Sequence, residues 1–217
     1  MKSEPTERKA VAFTLVEVLI VLAVLITLAL VFLPRVLRPQ RVTSSRIYCI
    51  NNLKQIGLAF RIWELDNEDR FPFNVPLTNG GAMEALATGN LAMVFQVMSN
   101  ELSTPKLLVC PADRNRVVVT NFLGLRGTNI SYFAGLDATN TVPSAFLSGD
   151  YNITNAAGLK AGLLLASTND PVGWTHMLHN GVGNIGLADG SVQQFSTVRL
   201  REAVGITGFQ TNRLLMP

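Results

Sequence analysis

From Phe13 to Leu33 the chain reads FTLVEVLIVLAVLITLALVFL, 21 residues in which Glu17 is the one charge. A helix of that length spans roughly 32 Å, about the hydrocarbon thickness of a bilayer. A helix buried in a soluble core keeps a polar stripe, and this run has none. The pattern predicts a membrane-spanning helix, closed by Pro34 and Arg35. A cleaved secretory leader fits less well. Its apolar region is roughly 7–15 residues long and is followed by a small-x-small site. Here Ala10-Val11-Ala12 precedes the apolar run, and no such site follows Leu33.

Past the prolines the period changes. Cys49, Leu53, Ile56, Phe60 and Trp63 recur at steps of four, three, four and three, which is one face of an amphipathic helix running from Arg41 to Leu65. Arg46, Lys54, Arg61 and Glu64 fall on the other faces. The pattern predicts the outer half of one long helix, kinked at Pro34 or Pro39, its apolar stripe packing a head. Asp66-Asn67-Glu68-Asp69-Arg70-Phe71-Pro72 breaks it. Helical periodicity returns from Met83 to Met98. Short β-type runs then alternate with Gly/Asn/Thr-rich loops: Leu107–Cys110, Val117–Thr120, Ile130–Phe133, Leu163–Leu165, Ile185–Ala188 and Val192–Phe195. Asp189-Gly190, between two such runs, reads as a tight hairpin turn with Gly190 supplying positive φ. The expected class is α+β, an antiparallel sheet laid on the long helix.

Composition narrows the function. The 217 residues are 48% hydrophobic and 15% charged, with mean hydropathy +0.29, which excludes a disordered chain. Net charge is +3, and the one acid-free basic stretch, Arg35, Arg38, Arg41 and Arg46, is too sparse for a nucleic-acid face. G-x-S-x-G, H-E-x-x-H and P-loop motifs are absent, so no catalytic residue is expected. Two histidines and two cysteines exclude multi-metal clusters.

Three further patterns carry weight together. A short basic leader, Met1 to Ala12 with Lys2, Arg8 and Lys9, precedes Phe13-Thr14-Leu15-Val16-Glu17. The stretch from Cys49 to Phe60 reads CINNLKQIGLAF. Near the C-terminus, nine residues separate His179 from Asp189-Gly190. The first pattern resembles the class III signal of the type IV pilin and type II secretion pseudopilin superfamily, and Pro34 falls at the twenty-second mature residue, where many members carry a kinking proline. The other two are similar to a pilin-like family with a CxNNLKQIGLA segment and a His-x9-Asp-Gly signature at His179, Asp189 and Gly190. Ala12 stands where the superfamily usually has Gly.

The resemblance implies a pilin-like fold and a structural subunit rather than an enzyme. Prepilin peptidase would cut between Ala12 and Phe13 and N-methylate Phe13, and Glu17 would pair with a neighbour's new amino terminus and set subunit register. The expected organisation is a leader at 1–12, a transmembrane and filament-core helix at 13–33, its amphipathic continuation at 34–65 and a head at 66–217. The expected partners are related pilin subunits, the peptidase, an inner-membrane assembly platform and membrane lipid before assembly. The N-terminus would be cytoplasmic and the head periplasmic or on the cell surface. The count of Lys and Arg beside the helix runs slightly against that orientation, three on the leader side and four beyond. The alternative is a membrane-anchored binding protein that never polymerises.

With the head outside the cytoplasm, a Cys49–Cys110 disulfide is expected, closing a loop of about 62 residues worth roughly 4 kcal/mol in the chain-entropy model; two buried thiols are the alternative. His176, His179 and Asp189 could approach as a metal site, but no helical frame holds the histidines on one face, and a hydrogen bond from His179 to a loop backbone is the stronger expectation. Asp66-Asn67-Glu68-Asp69 and Asp137 are the candidate Ca²⁺ ligands, without the spacing of a calcium loop. No cofactor is expected.

Overall fold

A computed structural model describes residues 14–158, 161–170 and 172–217, with the backbone alone over 34–44. One helix, α1 (Leu15–Asp66), holds both the apolar run and the amphipathic stretch. The chain divides into two compact units, 1–41 and 42–217, so the outer part of α1 belongs to the head. The expected kink at Pro34 falls among residues whose side chains lie outside those described. At its far end α1 is stopped by its own polar residues. Asn67 Nδ2 donates to Trp63 O at 2.7 Å, and Glu68 and Asp69 turn the chain with positive φ.

Cys49, Leu53, Ile56, Phe60 and Trp63 are all buried. Immediately beyond the turn, Phe71 and Phe73 fold back so that their rings lie 6.0 and 6.1 Å from that of Phe60. Helices α2 (Ala85–Thr88), α3 (Leu91–Val97) and α4 (Ser99–Leu102) follow, the expected single helix being broken where Gly89 takes φ +64°. Leu107–Cys110 is not a strand: Pro105–Leu108 forms a 3-10 turn, because Pro105 cannot donate to a ladder and Thr104 caps it. Val117–Thr120 is irregular as well.

The described strands are β1 (Tyr132–Gly135), β2 (Phe146–Asp150), β3 (Ile153–Thr154), β4 (Gly162–Ser167), β5 (Gly173–Trp174), β6 (Val182–Leu187), β7 (Val192–Ser196) and β8 (Thr211–Met216), with α5 (Thr197–Ile206) between the last two. Six of them form one antiparallel sheet in the order β4-β8-β1-β2-β6-β7, and β3 pairs with β5 apart from it. The fold is therefore α+β with an antiparallel sheet.

Strand alternation gives that sheet two apolar faces. Tyr132, Ala134, Leu147 and Leu215 join the α1 stripe in one core. Phe133, Phe146, Ile185, Leu214 and Met216 point the other way and meet Leu200 and Val204 of α5. The head is three layers: helix, sheet, helix.

Candidate functional site

The first candidate is the start of α1. Thr14 caps it, its Oγ1 accepting from Glu17 N at 3.4 Å, and Glu17 stands in the first turn. Thr-x-x-Glu is the capping-box spacing. Beside any pairing with a neighbour, Glu17 thus favours the positive end of its own helix. From Leu15 to Leu33 the helix has mean hydropathy 3.1 and buries nothing within the chain, and it is long and apolar enough to cross a membrane. Its hydroxyl at Thr27 is satisfied by Val24 O at 2.8 Å, which suits a surrounding without water. Ala12 and Phe13 lie outside the described residues.

The second candidate is buried where α1 meets the sheet. Cys49, on the α1 stripe, is joined by a disulfide to Cys110, just past the 3-10 turn. His179 packs its ring against this bridge, with Nε2 3.5 Å from Cys110 Sγ and 3.5 Å from Asp150 Oδ2. Its ring therefore meets sulfur and carboxylate rather than a loop backbone. Asp150, the last residue of β2, is wholly buried; its Oδ2 accepts from Asn184 N and Asn184 Nδ2 at 2.8 and 2.9 Å, while Oδ1 has no partner among the described residues. Burial pushes the Asp150 carboxyl up to about 7, although the Asn184 hydrogen bonds and the Arg46 guanidinium pull it down. Burial, with help from Arg46, lowers His179 to about 4. At neutral pH the imidazole is uncharged, so its contact with Asp150 is not an ion pair.

Residues 179–190 are also tied to α1 at both ends. Arg46 Nη2 donates to His179 O at 3.2 Å, and Arg61 Nη1 donates to Ala188 O at 3.3 Å. At the far end, Asp189 Oδ1 accepts from Ser191 N at 2.8 Å and Gly190 has φ +86°, which makes the β6–β7 turn. Asp189 and His176 are exposed and do not join His179 in a metal site. Of the Ca²⁺ candidates, Asp137 is engaged by Arg213 at 2.6 Å and Glu68 by Arg70 at 2.7 Å.

Arg46, Arg61, Asp150 and Asn184 carry this arrangement, and sequence reasoning missed all four. The two arginines lie off the apolar stripe and read as solvated charges. For Asp150 and Asn184 no sequence signal exists, because only strand pairing brings them together. No family model, curated protein or solved structure matches this chain.

Proposed function

We propose that this chain is a pilin-like structural subunit that is cut between Ala12 and Phe13, methylated at Phe13 and assembled through its N-terminal helix into a secretion pseudopilus or a type IV-like pilus. The observation that carries this reading is the helix from Leu15 to Leu33, apolar but for Glu17 and Thr27 and exposed along its length. Such a surface needs lipid or sister helices around it. The head supports the same reading: the His179–Gly190 segment, which resembles a family signature, serves to fasten the β6–β7 hairpin onto α1, and its histidine is too enclosed to meet a substrate. The head would lie outside the cytoplasm, where a disulfide persists.

Intact-mass measurement of the chain purified from its host tests processing. A species beginning at N-methylated Phe13 is expected, whereas a chain retaining Met1 would favour the plain membrane anchor. Glu17→Val tests assembly: insertion should continue while filaments are lost or misregistered. Normal filament yield from that variant would remove the register role.

A further inference from the structure

Cys49 Sγ, Cys110 Sγ and His179 Nε2 converge within 4.8 Å of one another, all in buried residues. Asp150 Oδ2 lies 3.5 Å from the same ring nitrogen, outside this group of three. We propose that the chain, in the form whose cysteines are still thiols, holds one zinc-type divalent ion on Cys49, Cys110 and His179, and that the disulfide and the metal exclude each other.

The donor set is one that borderline ions such as Zn²⁺ take: two thiolates and an imidazole. The spacing fits as well. Zn–S near 2.3 Å and Zn–N near 2.0 Å at a tetrahedral angle place sulfur and nitrogen about 3.5 Å apart. The distance from Nε2 to Cys110 Sγ is 3.5 Å. An outer contact already holds the His179 backbone, since Arg46 grips its carbonyl.

Cysteine enters every chain as a thiol, so the dithiol form precedes the disulfide. Binding one Zn²⁺ releases the two thiol protons and forms two Zn–S bonds. Exchange with an oxidising disulfide forms the Cys49–Cys110 bond and frees the ion, the two electrons and two protons leaving on the reagent as two thiols. In the reverse direction a trialkylphosphine supplies the electrons, ends as its oxide with oxygen from water, and water's two protons complete the thiols.

The test is a Co²⁺ titration of the full chain in detergent micelles, reduced by a phosphine under argon. One ion per chain is expected, with the visible bands of tetrahedral cobalt and a thiolate-to-metal charge-transfer band, all abolished by added Zn²⁺. The oxidised chain should show neither. His179→Gln, first checked for native circular dichroism in its oxidised form, should bind more weakly by more than the roughly 10–100-fold that outer-contact changes cost. Cys49→Ser/Cys110→Ser should lose the charge-transfer band. Octahedral cobalt alone in the reduced chain, equal binding by the oxidised chain, or undiminished affinity in His179→Gln would each overturn the proposal.

Discussion

Asp150 and His179 face each other across 3.5 Å with opposite shifts, and that opposition has a measurable signature. The raised carboxyl of Asp150 means the folded state holds a proton, between about pH 4 and 7, that the unfolded chain has lost. This contribution to stability is present at low pH and fades as pH rises to about 7. The lowered His179 acts the other way: between about pH 4 and 6.5 the unfolded chain binds the extra proton, so stability grows with pH. In the wild type the two slopes largely offset each other. Asp150→Asn should leave a Tm that climbs between pH 4 and 6.5, and His179→Gln one that declines over about pH 4 to 7, both read by thermal denaturation in matched buffers. Arg46→Ala removes the charged donor to His179 O; a loss of about 1–3 kcal/mol in urea unfolding is expected. None of these partnerships was legible in the sequence, because hydropathy places a side chain on a face but does not say which polar groups meet beneath it.

Among the elements, α1 was the most legible, since 3.5-residue spacing over several turns has one reading. The strands divided by their punctuation. Those bounded by Gly and Asn, such as β6 and β7, stand out, whereas Leu107–Cys110 looked like a strand only until Pro105 is weighed. β2 hid because both its faces are covered, and β8 because its inner end, Leu214 to Met216, packs on both faces, so neither alternates in hydropathy. α5 hid because only Leu200 and Val204 mark its buried side. Packing between elements yields a sharper prediction at Gly183 in β6. A Cβ there would lie 2.3 Å from the Trp174 ring, which covers the strand. Gly183→Val should destabilise the head by more than about 2 kcal/mol, with loss of near-ultraviolet dichroism from the displaced indole. Reducing the Cys49–Cys110 bridge should lower stability by roughly 4 kcal/mol, measured by urea unfolding of the chain with and without a phosphine.

For the whole molecule, the division at Arg41 separates two kinds of surface. Residues 42–217 contain both apolar cores and the disulfide, so a chain starting at Val42 should fold as a soluble monomer. The full chain should need detergent or lipid, and sedimentation of the two side by side checks this. The disulfide also has a mechanical consequence. Tension applied to the apolar segment enters the head along α1 and reaches Cys49, the first buried residue of its stripe, where the S–S bond carries it across to Cys110. Residues 50–109 then lie off the load path, and a pulled rod stays covalently tied to the chain at Cys110 even where their own packing gives way.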